Sequence, residues 1–369
     1  VGSRERLQAT YEELLELVPG DLFSLERLED LARTGNDPVL AERVYLQLAE
    51  VTDEPPLRAH YLTLLATAME AQQNFRAIDI YRRAIEEDQE QLAAVRGLAR
   101  LAEGLGDAGA LADASRLEAE QTSDPTIAAK LYVRSASLRI GTDLDGGLSD
   151  LRHALGLHPE VESAANQLAT ALTEANRLDE LIADLSGAAR ACKSNSRAAE
   201  LWLQVATIQA DLGRHASGIT SLQRGLSARA DHVPSLLKVA ELHRHEGQWR
   251  SAVNALDRVL AASKERELFC NTQLELATLW DQHLDSFDKA KECVAAVLER
   301  HQLHHGALWR QTDYDMREGR RDAAAQVIQR LIADARDPAE RANALVKLAE
   351  IEVDRGRERA SEEALKEAS

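Results

Sequence analysis

The chain has 369 residues, 44 Lys and Arg against 62 Asp and Glu, and a formal net charge of −18. A field of that sign repels DNA, RNA and anionic lipid, and no apolar run approaches the roughly 18 residues of a membrane span, so nucleic-acid binding and membrane insertion are not expected. Ala and Leu dominate, with only 8 Pro and 4% aromatic residues, a composition suited to helices stacked on helices.

In chain order, residues 4–19, ending in Leu14, Leu15 and Pro19, match only the second helix of a helical hairpin. A full unit of two amphipathic helices, A then B, starts near Asp21, with Leu28, Gly35, Val44 and Leu48 in register. The next covers 59–89 and carries Ala66, Phe75, Ala77, Tyr81 and Ala84. A third begins near Leu92 and is marked by Val95, Leu98, Gly106 and Ala112. The fourth covers 128–159, and the fifth begins near Glu162 with Leu168, Asn176 and Leu185.

The sixth and seventh units carry the plainest repeat. Trp202, Ala206, Gly213, Ile219, Leu222 and Leu226 return in kind 34 residues later as Leu236, Ala240, Gly247, Val253, Leu256 and Leu260. Helix A is expected over 199–212 and helix B over 216–228, with Gly213 where a chain leaving a helix needs a left-handed residue. Ala206 and Ala240 leave room for close approach of adjacent helices. An eighth unit begins near Cys270 with one extra residue between its helices, a ninth near His305, and the last near Ala342.

A period of this length marks a repeat array, in which each unit stacks on its neighbour to bury its apolar face. The expected organisation is one continuous solenoid over 1–369. Residues 1–20 form the second helix of a truncated repeat, and about ten units run from 21 to 369, the last incomplete. The ends lack polar caps and read as those of an excised array. The connections 190–196 and 261–266 exceed a minimal turn by about three residues, enough to lengthen helix B by nearly one turn.

Trp202 with Val205–Ala206, then Gly213, Ile219, Leu222 and Leu226, resemble the tetratricopeptide repeat. Tyr81 with Ala84, Ala154 with Pro159, and the run Gln248, Trp249, Arg250, Ser251, Ala252 fit the same motif. The helix-ending Pro of that family is absent from most units, and Gly147, Gly218 and Gly225 stand where alanines are expected. The resemblance implies an all-α fold, an α-solenoid of stacked helix-turn-helix repeats wound as a right-handed superhelix. It also implies a concave groove, lined by A helices, that holds peptides or protein segments in adaptors, co-chaperone modules and assembly platforms.

The resemblance puts groove residues at the second, fifth, ninth and twelfth places of helix A. In the third unit these are Ala93, Arg96, Arg100 and Glu103. Arg96 and Arg100 share a helix face and suit bidentate recognition of a carboxylate or phosphate; the alternative is a solvated face paired with neighbouring acids. Tyr132 and Arg139 are expected alongside, in a unit whose register slips by one residue if Arg134 keeps a place usually apolar. Asn166, Thr170 and Thr173 follow, then Glu241, Arg244 and His245, then Asn271, Thr278 and Asp281. Trp309, with Asp313 and Met316, is either a binding anchor or a filler between units. Arg100 stands where the family's carboxylate clamp has Asn, which argues against that variant.

His301, His304 and His305 invite a metal reading, but the template puts His301 in a turn, so helical spacing does not bring them together, and no metal is expected. Cys192, Cys270 and Cys293 are odd in number and lack CxxC spacing, which points to reduced thiols and leans towards the cytoplasm, with a periplasmic location also compatible. GxxxxGK[ST] does not occur, and no cofactor or catalytic residue is expected. The leading reading is a non-catalytic scaffold or adaptor for protein or peptide segments. Its rivals are a regulatory or substrate-recruiting region of a larger multidomain enzyme, and a structural repeat protein that self-associates through uncapped ends.

Overall fold

The structure, a computed structural model, describes residues 2–368. Those residues form 21 α-helices and no strand. The chain divides into two compact units, Val1–Ser194 and Asn195–Ser369.

In the first unit α1 (Ser3–Leu17) stands alone and is followed by five hairpins. They are α2 (Leu22–Gly35) with α3 (Pro38–Val51), α4 (Pro55–Ala71) with α5 (Ala77–Glu87), and α6 (Leu92–Leu105) with α7 (Ala108–Gln121). Then come α8 (Pro125–Arg139) with α9 (Leu144–Leu157), and α10 (Glu162–Glu174) with α11 (Leu178–Ala191). The second unit has five more: α12 (Asn195–Asp211) with α13 (His215–Ala228), α14 (Val233–His245) with α15 (Trp249–Ala262), and α16 (Arg266–Gln282) with α17 (Phe287–Arg300). The last two are α18 (His305–Arg317) with α19 (Arg321–Asp334), and α20 (Pro338–Asp354) with α21 (Glu358–Ala368). Even-numbered helices are the A helices, and within each unit every helix packs on the next.

The ends of these helices are written in the chain. Asp21, Asp37, Asp107, Asp124, Asp143 and Asp337 cap helices by accepting backbone N–H bonds in the first turn. Pro38, Pro55, Pro125 and Pro338 occupy first-turn positions, where the missing N–H costs nothing. Nine A helices end on a left-handed residue: Asn36, Gln73, Gly106, Asn176, Gly213, Gly247, Asp285, Gly319 and Gly356, with φ from 48° to 74°. At Gly213 the turn closes with Gly213 N–H on the Ala210 carbonyl and Arg214 N–H on that of Gln209. The first unit uses Asn36 for this purpose and not Gly35, which lies inside α2. Asparagine tolerates the left-handed region because its side chain bonds locally.

The longer connections do not lengthen helix B. Here α11 stops at Ala191 and α15 at Ala262, and the extra residues extend the following A helices, α12 and α16, to 17 residues each. The additional residue between the helices of the eighth unit is present as the four-residue turn 283–286, against three at 246–248.

A-helix and B-helix stripes meet in continuous apolar cores. Leu25, Leu48, Leu98, Leu148 and Leu168 are buried in the first unit and Leu201, Leu222, Leu256, Leu276 and Ile328 in the second. Each such side chain contributes about 1.5–3 kcal/mol by leaving water. Ala206 and Ala240 are fully buried contacts. The unexpected glycines have a packing cause: a Cβ on Gly218 would lie 2.9 Å from Leu242 Cδ1 and 3.2 Å from the Ala206 carbonyl oxygen, and one on Gly225 would lie 3.0 Å from Trp202 Cβ.

Candidate functional site

Each A helix buries one stripe and leaves another wholly or partly in solvent. On α6 the buried set is Ala94, Val95, Gly97, Leu98, Leu101 and Ala102, while Ala93, Arg96, Arg100 and Glu103 are exposed. The sequence placed those four on the outer stripe, and they lie together there. Their charges are engaged by neighbouring helices. Arg100 donates to Glu70 of α4 from Nε (2.8 Å) and Nη2 (2.7 Å), and Arg96 Nε donates to Glu118 of α7 at 2.9 Å. Glu103 receives Arg134 of α8 at 2.9 Å.

The same kind of bond links successive A helices elsewhere. Ser137 of α8 donates to Gln167 of α10 at 2.9 Å. In the second unit Arg244 of α14 pairs with Glu275 of α16, Arg317 of α18 with Asp281 of α16 at 2.8 Å, and Lys347 of α20 with Asp313 of α18 at 3.5 Å. These bonds show that the exposed stripes of consecutive A helices lie side by side and form one polar-edged face within each unit. The Glu70 carboxyl is held below the usual carboxylate range, first by the Arg100 bond and then by the Tyr81 hydroxyl, against the opposing effect of burial.

Lys130, Arg134 and Ser137, not Tyr132 or Arg139, are the polar α8 residues on this face. The register of α8 is shifted because Ala136 takes the buried place that Ala102 holds in α6, and its exposed stripe is Ile127, Lys130, Arg134 and Ser137. Tyr132 is buried, stacks on His153 with ring centroids 5.3 Å apart, and has its phenol pushed above the usual value by burial. Arg139 is largely buried and pairs with Asp113 of α7. Lys130, exposed on the face, was missed in the sequence because the register of this helix was misplaced.

The other sequence candidates fall on A helices as follows. Asn166 and Asn271 are exposed, on α10 and α16. Arg244 is exposed and carries the bond to Glu275. His245, also exposed, lies at the end of α14 with its ring 5.3 Å from that of His215. Trp309 is half-buried and packs against the cluster that includes Leu308, Ala324 and Ile328.

His304 and His305, neighbours in the chain, do different work. His304 caps α18 by accepting from Ala307 N–H, and its ring is pushed below the usual imidazole value first by burial. His305 lies between Asp334 (3.0 Å from Nε2) and Glu340 (2.6 Å from Nδ1), which raise its pKa. Among the described residues no group of three or more His, Cys, Asp or Glu is placed to hold a metal ion, and no helix is long and apolar enough to cross a membrane. Cys192, Cys270 and Cys293 form no disulfide among the described residues. A cleft of about 630 Å³ between the turns around Gly319 and Arg355 is lined by Arg320, Arg321, Arg355 and Arg357. Within it Arg320 is tied to buried Asp315 at 2.6 Å and Arg355 to buried Glu352.

The fold and this face define an all-α repeat protein, built of stacked helix-turn-helix units similar to the tetratricopeptide repeat. No family model matches the chain, and no curated protein matches it. Solved structures similar to it include the yeast Tom70, at 12% identity over 96% of this chain and 96% of that one with a TM-score of 0.40. A tetratricopeptide repeat protein from Parabacteroides merdae is 14% identical over 65% of this chain and 91% of that one, with a TM-score of 0.35. Naa15/Naa10 bound to HypK-THB is 12% identical over 93% of this chain and 58% of that one, with a TM-score of 0.41.

Proposed function

We propose that this chain is a non-catalytic scaffold that holds segments of partner proteins against the exposed faces of its A helices. One observation carries the reading: successive A helices present wholly or partly exposed stripes in the same register, side by side. Such a face offers an extended surface and rigid backbone, which suits recognition of a segment longer than a small ligand. In the first unit Arg96, Arg100 and Arg134 lie in its middle, paired with Glu118, Glu70 and Glu103, and Lys130 stands beside them, so an acidic partner segment binds there by competing for those arginines.

Photo-crosslinkers placed at Asn166 and Asn271, with Gln223 on the exposed side of α13 as control, test the reading. Capture of defined partner segments at the first two positions and not at Gln223 supports it, and capture confined to Gln223 overturns it. For the basic middle, Arg96→Glu with Arg100→Glu is expected to weaken an acidic segment with helicity retained; unchanged affinity retires that patch.

A second reading has its own observation. The α1 helix has no buried residue and exposes Leu7 (48%), Leu14 (41%) and Leu17 (78%), an apolar row suited to self-association. Light scattering across a concentration series tests it, and a strictly monomeric result removes it.

A further inference from the structure

The two units present chemically different faces at the same structural position. In register with the left-handed residue that ends each A helix, the place ten residues earlier holds Glu26, Thr63, Arg96 and Asn166 in the first unit, and Lys130 in α8 by the match of its buried alanine. In the second unit that place holds Leu203, Leu237, Trp309 and Val346, and Leu274 in α16, whose turn has one more residue. Polar side chains occupy all five places in the first unit, and four of the five are exposed there. Packing between repeats therefore does not require an apolar residue at this position. Five apolar residues in succession thus form an apolar row that the first unit lacks.

These residues form a partly exposed ridge. Leu203 and Leu237 edge one core cluster, Leu274 lies against Gly306 of α18, Trp309 edges the next cluster, and Val346 is 42% exposed. One turn further along the helices the neighbouring row reads Thr207, Glu241, Thr278, Asp313 and Glu350, with carboxylates and no base in the row itself. Lys238 and Lys347 lie beside it, 2.8 Å from Glu241 and 3.5 Å from both Asp313 and Glu350, and offset part of that charge.

We propose that the face formed by α12, α14, α16, α18 and α20 binds an amphipathic helix of a partner protein, with apolar residues at heptad spacing and Lys or Arg along one flank. The proposal rests on the scaffold reading above and names the partner of one of its faces. Packed helices lie about 8–10 Å apart, and seven residues of helix advance about 10.5 Å, so one apolar side chain per heptad meets each A helix in turn. The acidic row takes the basic flank, and Trp309, on the fourth of the five helices, supplies an aromatic anchor.

The test uses the full chain and a fluorescein-labelled synthetic helix of about 35 residues, enough to cross all five repeats, with Leu at heptad positions and Lys on one flank. A scrambled peptide of the same composition controls for attraction to the acidic chain. Anisotropy is expected to show binding of the patterned peptide, at least tenfold tighter than the scrambled one. Leu237→Lys with Leu274→Lys is expected to weaken it at least tenfold. Val346→Lys with Glu350→Lys, both at exposed places, gives a loss in the same direction without risk to the core. Gln223→Ala, on the exposed side of α13, leaves it unchanged. Equal binding of the two peptides, or full binding by the Val346→Lys with Glu350→Lys variant, overturns the proposal. Since neither outcome bears on capture at Asn166, the scaffold reading stands or falls separately.

Discussion

Arg100 of α6 grips Glu70 of α4 with two hydrogen bonds, 2.8 and 2.7 Å, across one full repeat. Glu70 also accepts from Tyr81 of α5 at 3.0 Å, and Tyr81 is fully buried. One carboxylate thus joins two consecutive A helices and the B helix between them. The exposed face is set by this kind of bond as much as by the apolar stripes beneath it.

Arg100→Glu sets two carboxylates against each other and is expected to cost about 1 kcal/mol, the upper range for a half-exposed pair, with Arg100→Glu plus Glu70→Arg recovering most of it in a urea-melt cycle. The pH dependence has a definite sign. The folded-state carboxyl of Glu70 lies below its ordinary value of 4.5, so its contribution is present above that value and is lost as the pH falls through the lower folded one. Wild type is therefore expected to keep its advantage over Glu70→Gln at neutral pH and to lose it progressively in acid. A constant gap down to full protonation would refute the assignment.

Gly97 faces the same network from α6. A Cβ there would stand 2.4 Å from Tyr81 Cε1 and Cζ, closer than any relaxed contact. Alanine normally gains about 1 kcal/mol over glycine inside a helix, but here the buried ring has to move and its bond to Glu70 is disturbed. Gly97→Ala is expected to lower stability by about 1–3 kcal/mol, read as a fall in melting temperature. A rise in melting temperature would show that propensity wins and that the ring has room.

Much of this architecture was legible because the repeat is carried by local signals. Gly213 and Gly247 announced the turn, and Ala206 and Ala240 the close contact. The misses are tertiary or arise where several residue types serve one backbone state. Asn36 and Asp285 do the work of glycine with side chains that mimic a turn bond, so a search for Gly finds Gly35 instead. The direction in which 190–196 and 261–266 were absorbed depended on which helix could extend, and the A helices did. Arg96 and Arg100 were correctly placed on one face, but their partners Glu118 and Glu70 come from other helices, 22 and 30 residues away, where a single sequence gives no pairing signal. In α8 the polar Arg134 and apolar Tyr132 exchanged their expected places, because buried Ala136 sets the register.

His305 at the start of α18 joins the end of α19 through Asp334 and the first turn of α20 through Glu340. Both ring nitrogens face carboxylates, so both bonds are made only by the imidazolium. Its pKa is raised above the ordinary 6.5, first by the Asp334 bond. The contribution is complete below 6.5 and declines as the pH rises through the higher folded value. The stability gap between wild type and His305→Gln, measured by thermal melts, is expected to be widest at about pH 6 and to narrow in mild alkali. A gap that widens with pH would mean that the ring is held neutral.

Ala240 on α14 tests the stacking itself. It is 1% exposed and occupies the place that Ala206, fully buried, holds one repeat earlier. An indole at this position has no cavity to enter, so it has to displace backbone or neighbouring side chains, at about 1–3 kcal/mol or more. Gln223 on α13 is exposed, and its truncation to alanine is expected to change stability by no more than about 0.5 kcal/mol. Ala240→Trp should therefore melt clearly below wild type while Gln223→Ala melts with it. If the tryptophan variant melts with wild type, the A helices do not approach closely at their alanines, and the shared register that places both exposed faces loses its physical basis.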